Sequence, residues 1–253
     1  MTDRESPFRR VAPPRKRNLF SHVVEEVGSG IVRGVYKPGD VLPVEGELGR
    51  ALGASRSVVR EAIKSLAAKG LVVSRTRTGT RVLAPTHWNL LDLDVLGWRY
   101  AAMPRMQFFR EVFDLRRMIE PAAAGLAAER AAPADIVALE EALDAMSTAT
   151  GDAEIEADLR FHRGILEAAH NELVVQLGGV IGVGLLTSFR ISPQSFDVFL
   201  PLHQHVFAAI RDRKPDAARK AMDALLTETR AFLEGELRRE LRRAGKRAPE
   251  AAD

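Results

Sequence analysis

Residues 45–69 hold two short helical patterns separated only by Leu52-Gly53-Ala54, an interruption that one continuous helix could not absorb. The first pattern runs from Glu45 to Ala51. The second runs from Ser55 to Lys69, with Ser55 as its cap and Gly70 as its stop. Val58, Ala62 and Leu66, with Val59 and Ile63, mark one face of the second pattern as buried, whereas Arg56, Arg60 and Lys64 step along another. Upstream, Val23, Val24, Val27 and Ile31 predict a helix over 19–33, followed by the turn Tyr36-Lys37-Pro38-Gly39-Asp40. Downstream, Leu71-Val72-Val73 and Arg81-Val82-Leu83 predict two strands flanking Thr76-Arg77-Thr78-Gly79-Thr80. This order is that of a winged helix-turn-helix, whose second helix fits a DNA major groove and whose hairpin reaches the flanking backbone. The exposed first turn of that helix, Ser55-Arg56-Ser57, is placed to meet base edges and phosphate.

The charge distribution agrees with a polyanionic partner for this part alone. Residues 1–85 hold 16 Lys and Arg against 8 Asp and Glu, whereas residues 86–253 hold 21 against 26, so a net charge of +3 conceals a basic front and an acidic back. With 253 residues and 46% hydrophobic content, the chain can bury a real core in two domains. The absence of cysteine excludes disulfides, thiolate metal sites and cysteine nucleophiles, and fits a cytoplasmic location. Arg9, Arg10, Arg15, Lys16 and Arg17 around Pro13-Pro14 read as a flexible basic arm, because no apolar signal core follows them. The apolar stretch Val174–Leu186 is too short and glycine-rich to span a bilayer, so no membrane partner is expected.

Gly34 to Val82 resembles the DNA-binding domain of the GntR family. The shared pattern is a Gly-x-Tyr-x-Pro-Gly turn, Leu-Pro-x-Glu, a Ser-Arg-x-x-Val-Arg-Glu helix and an Arg-x-Gly-Thr wing. The resemblance implies that Ser55, Arg56, Ser57 and Arg60 contact a double-stranded operator, with Arg77 and Gly79 acting from the wing. For Arg60, an ion pair holding its helix to a neighbour is the competing role. The family's Arg after Leu-Pro-x-Glu is replaced here by Gly46, so one DNA contact is absent.

From Met106 onward every segment has helical period. The predicted spans are 106–131, 133–148, 153–169, 172–189, 195–212 and 215–243, with Pro121 kinking the first. The fold class is mostly α, an N-terminal winged helix-turn-helix followed by an antiparallel helical bundle. The predicted divisions are an arm over 1–17, the DNA-binding domain over 18–85, a linker over 86–104, the bundle over 105–243 and a flexible tail over 244–253. Both tryptophans, Trp88 and Trp98, fall in the linker, which implies that it docks against a domain or a partner subunit.

Asp158 and His162 lie four residues apart, on a helix face shared with Phe161, Ile165, Leu166 and Ala169. They can share a cation or form a buried hydrogen bond. His203 shares a face with Val206, Phe207 and Ile210 and so points inward too, whereas His205 faces outward. The phrase Phe113-Asp114-Leu115-Arg116-Arg117-Met118-Ile119-Glu120-Pro121, with Ala127-Ala128-Glu129-Arg130-Ala131, resembles the opening helix of the FCD effector domain of the FadR branch. That resemblance implies a divalent metal of the Zn, Ni or Mn class on Asp158, His162 and His203. Leu225 stands where a further His would ligate. It also implies a small carboxylate or sugar-acid effector on Arg116, with Asn171 and Arg190 as further contacts, and a homodimer. A bridge from Arg116 to Glu120 and a capping role for Asn171 are the structural alternatives.

Two functions are compatible with these residues. One is a ligand-responsive transcriptional regulator, a repressor released from its operator by an acid. The other is a metal-dependent hydrolase with an appended DNA-binding-like domain, although no His-Glu-x-x-His or Gly-x-Ser-x-Gly motif is present.

Overall fold

The computed structural model describes residues 18–192 and 196–247, and the basic arm and the last six residues of the predicted tail lie outside them. The chain divides into two compact units between Pro104 and Arg105.

The first unit opens with α1 (Leu19–Val32), whose first turn is capped by Asn18 accepting from the Ser21 amide at 2.8 Å. Helices α2 (Glu45–Leu52) and α3 (Arg56–Ala68) follow, joined by a turn in which Gly53 takes a left-handed conformation with φ 64°. The turn is tight enough that a Cβ on Gly49 would meet the Ala54 carbonyl oxygen at 2.6 Å, so this position admits only glycine. Strands β1 (Val72–Arg75) and β2 (Gly79–Val82) pair antiparallel, Val72 opposite Val82. Residues 39–42 add a short third edge through the Gly39 amide to Val82 and the Leu42 amide to Thr80. Val23, Val27, Ile31, Val59, Leu66 and Leu71 form the core beneath.

The predicted linker is not a loose tether. After a 3-10 turn at Pro85–His87 it forms α4 (Leu93–Ala102), which Asp92 caps through its carboxylate. Trp98 is buried against α1, where Gly28 gives it room: a Cβ there would stand 2.3 Å from the indole ring. Trp88 donates from its indole nitrogen to the Leu83 carbonyl at 3.1 Å. Lys69, at the end of α3, reaches Asp92 at 2.7 Å and Asp94 at 2.8 Å. Burial alone would lower this ammonium, but its two carboxylate partners raise it above its ordinary value. The linker is thus part of the first unit.

Among the described residues the second unit contains seven helices: α5 (Arg105–Arg130), α6 (Pro133–Thr148), α7 (Asp152–Ala168), α8 (Glu172–Gln176), α9 (Gly178–Ile191), α10 (Phe196–Arg211) and α11 (Pro215–Arg247). Helix α5 continues through Pro121 as one element. It packs against α7, α9, α10 and α11, and its Ala123, Ala124, Ala127 and Ala128 let the helices approach closely around Phe161 and Ile165. Two expected boundaries are corrected. The helix predicted over 172–189 is broken at Leu177, and the segment assigned to a tail from 244 remains helical to Arg247. Among the described residues no helix is long and apolar enough to cross a membrane.

Gly28→Leu should force Trp98 from its seat and destabilise the first unit by about 1–3 kcal/mol, the usual cost of overpacking. Gly97→Ala adds a methyl that meets nothing within 4 Å and should not lower stability. Denaturant titration followed by tryptophan emission checks both. Equal midpoints for Gly28→Leu and the parent chain would mean that the helix crossing does not depend on the glycine.

Candidate DNA-binding face and effector cavity

In the first unit, Ser55, Arg56, Ser57, Arg60, Arg77 and Gly79 are all exposed, and Arg56, Arg60 and Gly79 line one surface concavity with residues of α2. Ser55 caps α3 by accepting from the Val58 amide at 3.4 Å, and its hydroxyl lies 2.9 Å from that of Ser57. Arg77 turns the hairpin with a left-handed φ of 71° and Gly79 follows at φ 79°. Arg60 donates from Nε and Nη2 to the two carboxylate oxygens of Glu45, at 2.9 and 2.8 Å. The ion pair considered for Arg60 therefore forms, although its guanidinium remains on the exposed face. Gly46 leaves space that Arg56 uses: the Arg56 Nε lies 3.2 Å from where a Cβ on Gly46 would be.

In the second unit, five ionisable side chains from three helices form one buried string. Arg116 on α5 donates from Nε to Glu120 Oε1 at 2.6 Å, one helical turn along. The other oxygen of Glu120 accepts from His162 Nδ1 at 2.5 Å. Across α7, Asp158 Oδ1 lies 3.6 Å from His162 Nε2 and 3.1 Å from His203 Nε2 on α10. His203 Nδ1 donates to the Phe199 carbonyl at 2.9 Å. All five side chains are buried.

Burial would raise the Glu120 carboxyl, but Arg116 and His162 hold it down to about 2, so Glu120 accepts and His162 Nδ1 carries the proton. Burial likewise opposes ionisation of Asp158, and His162 with His203 reverses it to a lowered value. Both imidazoles then have Nδ1 engaged by an acceptor and Nε2 turned toward Asp158. This is the arrangement by which an outer partner orients a metal-ligating histidine. The ligand atoms of Asp158, His162 and His203 lie within 4.8 Å of one another. An oxygen and two nitrogens suit a divalent ion of the Zn, Ni or Mn class, so the residues present fit such a metal.

These groups line one end of a cavity of about 40 Å³, with Leu185, Phe189, Leu225, Leu226 and Leu233 on its apolar walls and Ser188 and Thr229 nearby. Leu225 is in this wall and supplies no donor. Arg116 Nη1 is buried with no hydrogen-bond partner. Asn171 and Arg190 are not among the lining residues. Asn171 instead caps α8, accepting from the Leu173 and Val174 amides at 3.1 and 3.4 Å, and Arg190 is exposed on α9. Sequence reasoning recognised Glu120 only as a partner of Arg116. Its bond to His162 crosses 42 residues and leaves no local signal.

Comparison with known proteins agrees with both halves. Residues 19–82 match the model of bacterial regulatory proteins of the gntR family, and residues 111–228 match the FCD domain. The chain is 34% identical over 224 residues to the galactonate operon transcriptional repressor of Escherichia coli, covering 86% of this chain and 98% of that one. It is also 34% identical over 215 residues to the HTH-type transcriptional regulator YieP of the same organism, covering 83% and 94%. Among solved structures, Lar of Listeria monocytogenes shares the fold with a TM-score of 0.61 at 19% identity, covering 87% of this chain and 99% of that one. The chain belongs to the GntR family of bacterial regulatory proteins, in its FCD-bearing form, and is a transcriptional regulator rather than an enzyme.

Proposed function

We propose that this regulator is a cytoplasmic homodimeric repressor of an operon for the catabolism of sugar acids or other small carboxylates. It binds a palindromic operator through Ser55, Arg56, Ser57, Arg60, Arg77 and Gly79, and an acid bound in the bundle releases it. The observation that carries the effector half is Arg116 Nη1, a buried donor without a partner beside the His and Asp cluster. Leaving such a donor unpaired is costly, and a carboxylate would satisfy it through a charge-assisted bond. Asp158, His162 and His203 hold the divalent metal, which when bound supplies a positive centre for the effector's oxygens. Asn171 and Arg190 take no part in this proposal, because the first caps a helix and neither lines the cavity. The hydrolase alternative is withdrawn, since the family and the named relatives are regulators.

The functional test is a thermal-shift screen of sugar acids and small hydroxy acids with and without divalent metal, followed by operator release. An acid that stabilises the chain and lowers its affinity for a selected duplex supports the reading. Stabilisation by no acid under either condition would overturn it.

Three variants separate the parts. Arg56→Ala should weaken binding to a duplex selected by the full chain by at least about tenfold, the scale of one lost base-reading arginine, without moving the thermal midpoint. Unchanged affinity would remove Arg56 from the contact surface. Asp158→Ala combined with His162→Ala should abolish Zn or Ni retention by elemental analysis, and with it the response to acid, while DNA binding persists. If the parent chain retains no metal after loading, the metal assignment fails. Leu225→His should place a further imidazole in the cavity wall and slow Zn loss to a chelator. Release as fast as from the parent chain would show that this wall lies out of the ion's reach.

A further inference from the structure

The contact between Glu45 and Arg60 has a geometry that stability does not explain. Two parallel bonds of 2.9 and 2.8 Å hold a side chain that remains 61% exposed. Exposed ion pairs contribute little to folding, because solvent screens them and two long side chains must be ordered. The pair instead spends that ordering on one guanidinium, on the face where α3 offers its side chains outward. It joins α2 to α3 across 15 positions. It also occupies the Nε edge of the guanidinium and one side of Nη2, which leaves the Nη1 side available to an acceptor in front of α3.

Glu45 also feels, more weakly, the charge of Arg56. Arg56 lies over the N-terminal turn of α2, in the space that Gly46 leaves open, and its charge acts with that of Arg60 to stabilise the Glu45 carboxylate. The hydrogen bond from Arg60 is the main reason that this carboxyl lies below its ordinary value. One carboxylate thus takes the influence of two arginines on a surface that would approach a polyanion. A negative charge there weakens attraction to phosphate and costs non-specific affinity. A rigid fork that cannot swing to the nearest phosphate gains in its ability to read one base edge.

We propose that Glu45 is a specificity-determining positioning residue: it fixes the Arg60 guanidinium for base readout and restrains the α2–α3 face from binding phosphate indiscriminately. Gly46 belongs to the same device, because its missing side chain keeps the path of Arg56 clear.

The experiment compares the full-length parent chain with Glu45→Gln, Arg60→Lys and the double variant. Each is titrated by fluorescence anisotropy against a duplex selected by the parent from a random library and against a scrambled duplex of the same length. Glu45→Gln should bind the scrambled duplex as well as or better than the parent, yet lose about tenfold or more in discrimination between the two duplexes, the scale of one bidentate base contact. Arg60→Lys keeps the charge without the fork and should lose discrimination at the same base position. The double variant should be no less selective than Arg60→Lys alone, because Glu45 acts through Arg60. Far-UV circular dichroism and the thermal midpoint establish that each variant is folded, and Arg60→Lys with its double partner tests the coupling even if Glu45→Gln lowers stability. Three results would overturn the proposal. These are unchanged discrimination in Glu45→Gln, an equal loss of affinity for both duplexes, or losses that add fully in the double variant.

Discussion

The second unit depends on the electrostatic balance of its buried string. Arg116 brings a positive charge, while Glu120 and Asp158, both held ionised, bring negative ones. With neutral imidazoles the string is short of one positive charge in a bundle whose surroundings are Phe, Leu, Ile and Ala. Burying uncompensated charge is costly, and either an imidazolium or a divalent ion would supply the missing positive charge. His203 Nδ1 already donates to a carbonyl, so a bond from Nε2 to Asp158 requires either a second proton on the imidazole or a metal in its place. The string ties α5, α7 and α10 together, because each contributes a member of it.

That string also explains what local sequence could and could not reveal. Asp158 and His162 were legible because helical period places residues four apart on one face, and His203 because Val206, Phe207 and Ile210 mark the inward side of its helix. His205 is exposed, as the same phase requires. The second role of Glu120 was not legible, since its partner is a helix away. The break at Leu177 escaped for a different reason. Residues 172–191 are apolar on nearly every side and interspersed with glycine, so periodicity supplies no phase from which an interruption could be read. In the first unit the turns announced themselves through Gly53, Gly70 and Pro38. The resting place of Trp98 did not, because it is set by a glycine seventy residues earlier in the chain.

The two units use arginine in opposite ways. Arg116 is enclosed, with its Nε edge spent on Glu120 and Nη1 left without a partner in the protein. Arg60 is open to solvent, its Nε edge likewise spent on a glutamate. In each case a carboxylate on the protein takes one side of the planar fork and fixes its direction. A lysine could carry the charge at either site but could not be aimed in this way. What the fork can meet is then set by burial. The enclosed fork can meet only what enters the cavity, whereas the exposed one is open to a large partner.

The segment that precedes Pro104 belongs to the first unit rather than forming a tether. The covalent path between the units runs through Pro104. On one side of it is α5, which carries Arg116 and Glu120. On the other is α4, anchored by Trp98 beneath α1 and reached through the Lys69 contacts with Asp92 and Asp94 at the end of α3. Helix α4, which precedes Pro104, is packed into the core of the first unit. The two tryptophans in a segment that reads as a connector are explained by its packing within the first unit, Trp98 against Gly28 and Trp88 on the Leu83 carbonyl.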